Sequence, residues 1–139
     1  MRIYEQTWSI DPGDWSVEHH PECVTLTPGD KDAALQVSSS WKTAGEVTVS
    51  EGSIAAEQTA KRYEVTAALT VCGQFSGRVV EFIDGDHLWR RWWLSKGQRL
   101  LFVTYNTDAR SADRYRNVVD RLLSTLEAQE SVGGRRTSG

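Results

Sequence analysis

A chain of 139 residues with a formal net charge of −3, 39% hydrophobic and 25% charged residues has the composition of one ordinary globular domain, which excludes fibrous and wholly disordered classes. The acidic balance offers no electrostatic footprint for duplex nucleic acid or an anionic membrane. Six tryptophans are the outlying count.

The opening run MRIYEQTWSIDPGDW carries charges where a signal peptide would need a continuous apolar stretch, and no later segment approaches the length of a membrane span. These features predict a cytoplasmic chain in which Cys23 and Cys72 stay as thiols. Residues 2–10 alternate, with Tyr4, Trp8 and Ile10 on one side, and predict a first strand ending at the turn signal Asp11-Pro12-Gly13-Asp14. Trp15 and Val17 begin a short second segment. Cys23 to Thr27 alternates up to the turn Pro28-Gly29-Asp30, and residues 33–41 read as a half-buried strand.

Thr48-Val49-Ser50-Glu51 matches a capping box and predicts a weakly amphipathic helix over 50–62. Residues 64–71 read as a strand with Val65, Ala67, Leu69 and Val71 aligned, and Gly73 and Gly77 bracket a connection into a meander over 78–106. From Ser111 to Leu126 apolar residues recur at helical spacing, which predicts a closing helix whose Arg114, Arg116, Asp120 and Arg121 face water. The polar, glycine-rich residues 130–139 are expected to be disordered, leaving 1–129 as the domain.

Placing the meander turns at Asp84-Gly85 and Lys96-Gly97 sets a register by counting. Trp93 then faces Leu100, Arg91 faces Phe102, Trp89 faces Thr104 and His87 faces Asn106; across the other edge Trp89 meets Val80 and Arg91 meets Arg78. A three-residue turn at 84–86 would instead exchange the faces of the first pairing. Leu88, Trp92, Leu94, Leu101, Val103 and Tyr105 fall on the opposite face, with Arg90 diagonal to Glu81. Large apolar groups on both faces require cover on both sides. The closing helix suits the Trp92 face, whereas the 50–62 helix offers only Ile54 and small alanines to the Trp93 face.

The order of strands, middle helix, a meander containing WWLxxGxxLLFVTY and a closing helix ending in LLSTLE resembles the PsbP-like superfamily, whose members include the photosystem extrinsic protein, a Ran-binding nuclear transport factor and bacterial DcrB-like proteins. The resemblance covers about residues 2–128 and is carried by Trp15, Gly73, Gly77, Trp92, Trp93, Leu94, Gly97, Val103, Tyr105 and the helix after Ser111. It implies an α+β fold, an α/β/α sandwich with an antiparallel sheet flanked by helices, and action mainly through binding other proteins. No catalytic signature comes with it.

Chemistry-bearing groups are few. His19, His20, Glu22 and Cys23 crowd one segment but lack the paired clusters of a tetrahedral metal site, so a solvated loop is the reading, with no metal or cofactor. Asp84-Gly85-Asp86-His87 is ordinary hairpin chemistry, although a pocket formed by Asp86, His87 and Asn106 would suit a small-molecule binder or hydrolase. The run Trp89-Arg90-Arg91-Trp92-Trp93 has the residue types of interface hot spots and base-stacking platforms. Packing is the ordinary explanation of such alternation. Arg78 opposite Arg91 argues for function, because like charges across strands are unfavourable unless an anion lies between them. The candidate surface is therefore Arg78, His87, Trp89, Arg91, Trp93 and Asn106, used by a non-enzymatic protein-binding module such as a bacterial adaptor, chaperone or immunity-type protein. Single-stranded nucleic acid is the third alternative.

Overall fold

In a computed structural model, residues 2–42 and 49–130 are described. The chain runs β1 (Ile3–Tyr4), β2 (Trp8–Ile10), β3 (Ser16–His19), β4 (Val24–Thr27), β5 (Ala33–Trp41), α1 (Val49–Tyr63), β6 (Ala68–Cys72), β7 (Phe75–Asp84), β8 (His87–Lys96), β9 (Arg99–Asp108), a 3-10 turn (Ala109–Ser111), α2 (Arg116–Ser124) and β10 (Glu127–Ala128). An antiparallel sheet of seven strands in the order β3-β4-β5-β9-β8-β7-β6 forms the middle layer. The fold is α+β, with α1 on one face of this sheet and α2 on the other. A small second sheet, β1-β2-β10, joins the two ends of the described chain.

Alternation along the long strands sends one set of side chains toward α2. Val24, Leu26, Leu35, Val37, Trp92, Leu94, Leu101, Val103 and Tyr105 meet Val119, Leu122, Leu123 and Leu126, and Trp8 and Ile10 of the small sheet close the same core. On the other face Ala56 and Ala60 of α1 pack with Ala67, Val80 and Phe82, and Tyr63, Trp89 and Trp93 are only partly buried there. The alanines let the helix approach closely but cover a narrow strip.

Several boundaries differ from the sequence reading for identifiable reasons. Residues 2–10 are two short strands, because the Glu5 amide donates to the Trp8 carbonyl and turns the chain back; Tyr4 is exposed while Trp8, Ser9 and Ile10 are all buried. Gly77 lies inside β7, and the connection is Gly73-Gln74, since Cys72 pairs with Phe75. The expected strand over 64–71 begins only at Ala68, after Glu64 with a φ of 57°. The closing helix begins at Arg116, five residues after Ser111. Residues 49–63 bear out the middle helix, and the Thr48 side of its capping box and the 131–139 tail lie outside the described residues.

The meander register is the main correction. Lys96 pairs with Arg99 and Asp84 with His87, so the turns are Gly85-Asp86 and Gly97-Gln98. Gly73, Gly85 and Gly97 each occupy the first loop position with φ between 62° and 63°, the place where a two-residue hairpin of the II′ kind requires glycine. Reading glycine as the second loop residue shifts both pairings by two. Every face is preserved, because side chains repeat every two residues, but every partner changes. Trp93 faces Phe102, Arg91 faces Thr104, Trp89 faces Asn106 and His87 faces Asp108. Arg91 meets Val80 and Arg78 meets Trp93, so the two arginines are not opposed and that argument for function lapses.

Arg116 is only half exposed, and Asp120, although it faces water as expected, is tied to the sheet by an ion pair. Arg116 holds Glu81 through two 2.8 Å hydrogen bonds, and Arg90, 9% exposed, reaches Asp120 at 3.0 Å and Glu81, directly opposite it, at 3.4 Å. The buried guanidinium of Arg90 also lies over the Trp92 ring at 4.6 Å. This network pins α2 to the sheet. The hydrogen bonds from Arg116 hold the Glu81 carboxyl below its ordinary value of 4.5. A lowered folded-state value means that the bridge contributes stability above about pH 4.5 and loses it as the pH falls through the folded value. Thermal melts across pH 3 to 6 are therefore expected to show an acid-side fall that is shallower in Glu81→Gln than in the wild type; parallel curves would remove Glu81 as the cause.

Candidate functional site

Register builds the α1-side face in rows. Leu69, Arg78, Trp93, Phe102 and Ser38 stand side by side across β6, β7, β8, β9 and β5, and the next row toward the Lys96 end is Val71, Ser76, Ser95, Leu100 and Ser40. α1 covers the other end. Its Tyr63 ring stacks on Phe82 with centroids 3.8 Å apart and planes at 10°, and the Tyr63 hydroxyl donates to Asp84 at 3.4 Å. Over the Lys96 end α1 contributes, among the described residues, only Ser53. A cavity of about 940 Å³ lies there, floored by the two rows.

The cavity brings together two of the six predicted residues. Trp93 tilts against Phe102, with ring centroids 5.5 Å apart and planes at 43°. Arg78 lies between Leu69 and Trp93; its Nη1 donates to the Ala67 carbonyl at 3.3 Å and its buried Nε has no partner. The other four lie toward the opposite end of the face. Arg91 sits over the rings of Phe82 at 5.0 Å and Trp89 at 5.5 Å. His87 is exposed at the hairpin tip between Asp84 and Asp108, and Asn106 lies between Trp89 and Ala34. The cavity is thus at the far end of the face from Asp86, His87 and Asn106. Asp108 is held down to about 2 by hydrogen bonds from Arg110, which suits it to capping the 3-10 turn and not to proton transfer near neutral pH.

Sequence reasoning missed Leu69, Val71, Leu100, Phe102 and the serines of β5. Alternation marks Leu69 and Val71 as one face of a strand, but only the strand order shows that β6 is the sheet edge. No family model matches the sequence, and no curated protein matches it. Solved structures do match. A protein from Bacteroides thetaiotaomicron VPI-5482 superposes with a TM-score of 0.57 at 16% identity over 88% of this chain and 45% of its own; the chain therefore spans under half the length of that protein. The solution structure of cyanobacterial PsbP (CyanoP) from Synechocystis sp. PCC 6803 superposes with a TM-score of 0.50 at 11% identity over 93% of this chain and 92% of its own.

The fold is PsbP-like. At these identities the likeness is one of fold alone. No carboxylate, imidazole or thiol among the described residues lines the cavity, so among them its serine hydroxyls have no carboxylate or imidazole beside them to act as an activating base. In the His19 to Cys23 segment, His19 lies 3.6 Å from Glu5, His20 lies 3.0 Å from Glu18, and the Cys23 thiol meets the Thr25 hydroxyl at 4.0 Å. Among the described residues no three His, Cys, Asp or Glu side chains are grouped to hold a metal ion. Both cysteines are free, Cys72 in the core with its thiol pushed up by burial. No helix among the described residues is long and apolar enough to cross a membrane.

Proposed function

We propose that this PsbP-like domain is a non-enzymatic module that binds another protein along the α1-side face, at the edge formed by β6. The observation that carries the reading is the exposure of Leu69 at 74% and Val71 at 75% on a strand with no neighbour beyond it among the described residues. Edge strands are ordinarily guarded by charge, proline or a bulge, and Ala68-Leu69-Thr70-Val71-Cys72 has neither charge nor proline. Burying the two side chains would contribute roughly 1.5–3 kcal/mol each. Arg78 and Trp93 sit inward of this edge, with Arg91, Trp89, His87 and Asn106 further along the same face. In this reading the domain is an adaptor, chaperone or immunity-type protein of a bacterial cytoplasm.

The test is affinity purification of the tagged chain from its native lysate beside a Leu69→Glu/Val71→Glu variant. A specific protein is expected with the wild type and lost with the variant, while thermal stability changes by no more than about 0.5 kcal/mol per substitution, as for exposed positions. A partner retained by the variant, or none above a tag-only control, would sink the reading.

A further inference from the structure

We infer that the cavity at the Lys96 end of the sheet is a binding site for an anionic amphiphile, a small molecule with a carboxylate at one end and an apolar body, whose carboxylate is held by Arg78. This goes beyond protein docking and does not depend on it. A volume of about 940 Å³ lies within the roughly 300–1,000 Å³ range of small-molecule sites, and an apolar lining with a few placed polar groups is their usual chemistry.

Arg78 identifies the charge of the ligand. Elsewhere in the domain Arg2, Arg90, Arg110, Arg114 and Arg116 lie beside carboxylates, Arg62, Arg91 and Arg99 lie over aromatic rings, and Arg121 is exposed to water. Arg78 has neither among the described residues, although it is half-buried on the floor between Leu69 and Trp93. A guanidinium offers five donors in a planar fork that matches a carboxylate, and here one backbone carbonyl accepts from it while Nε points at nothing. Ser53, lining the same cavity, supplies a second buried polar atom without a partner, its Oγ. Orphaned buried polar atoms call for an unseen partner, and a bound carboxylate beside these two would supply acceptors.

The apolar body follows from the register. Beyond Arg78 the floor continues through Trp93 and Phe102 to Ser38, with Leu100 in the adjoining row. From β7 to β5 that path crosses three strand spacings, about 14 Å, so an extended alkyl chain or fused ring body fits and a short acid does not fill it. No acidic side chain among the described residues of the lining opposes an anion.

The purified chain alone tests this, by calorimetry and tryptophan fluorescence with decanoate, decan-1-ol and acetate as probes. Decanoate is expected to bind and perturb the fluorescence, at least tenfold tighter than decan-1-ol, with acetate silent. Arg78→Gln should erase the preference for decanoate, and Phe102→Ser should weaken both long probes. Equal binding of decanoate and decan-1-ol to the wild type overturns the assignment with no variant needed, as does an absence of decanoate binding below its micelle concentration. Either failure leaves docking on β6 standing, since that is read from partner capture.

Discussion

Gly77→Ala is expected to prevent folding or to cost on the order of 4 kcal/mol or more, the range reserved for strain that the structure cannot relax. A Cβ added at Gly77 would lie 1.8 Å from the Trp93 carbonyl oxygen and 2.9 Å from its carbonyl carbon. Both atoms belong to the backbone of the neighbouring strand, so no side-chain rotation relieves the contact. β7 would have to part from β8 at the very point where Arg78 and Trp93 face each other. Gly29→Ala is the matched control, because nothing lies within 4 Å of a Cβ there, and it should move stability by no more than about 0.5 kcal/mol. Chemical denaturation of the two variants beside the wild type decides the matter. If Gly77→Ala unfolds at the same denaturant concentration as Gly29→Ala, the close approach of the two strands is wrong.

Gly77 also marks the limit of what the sequence conveys. A glycine within an alternating segment is compatible with a turn, a bulge or a close backbone approach, and residues near it in sequence do not choose between them. The choice is made by Trp93, sixteen residues away. The hairpin turns fail in a similar way. Asp84-Gly85 and Lys96-Gly97 satisfy the preference for glycine second, and the structure uses glycine first. Faces survive that shift because it is even, which is why alternation puts Leu88, Trp92, Leu94, Leu101, Val103 and Tyr105 on the side that is buried while the cross-strand partners of the meander differ from those the turn preference predicts. The small sheet is legible only as one strand over 2–10, since strands of two and three residues are too short for alternation to show where one ends and the next begins, and β10 leaves no trace.

The candidate site was legible as a face and not as a cavity. The thin cover over Trp93 follows from Ala56 and Ala60 being, among the described residues, the α1 side chains buried against the sheet, and Ile54, the one large apolar side chain expected to help, is exposed. Where the cover stops depends on how α1 lies along β7 and β8. Tyr63 stacking on Phe82 places it at the Asp84 end, and the opposite end is where the cavity opens. Composition cannot foresee that, nor can it foresee that β6 is an edge.

Adjacent tryptophans on opposite faces offer a direct test of this asymmetry. Trp92 is 1% exposed, lies opposite Val103 and Val79, and supports the buried guanidinium of Arg90 on its ring. Trp92→Ala is expected to cost about 3–5 kcal/mol, as for other buried aromatic truncations. Set against a total of about 5–15 kcal/mol, that leaves a marginal fold, and Tm should drop by on the order of 10 °C or more. Trp93 has the same mass but only partial burial, and its neighbours Arg78 and Phe102 border the cavity. Trp93→Ala is expected to cost about 1–2 kcal/mol for the apolar area it loses, and to weaken decanoate binding in a protein that is still folded. Equal losses of stability in the two variants would mean that both faces are packed alike, and the α1-side face would then have no open end for a ligand or a partner to fill.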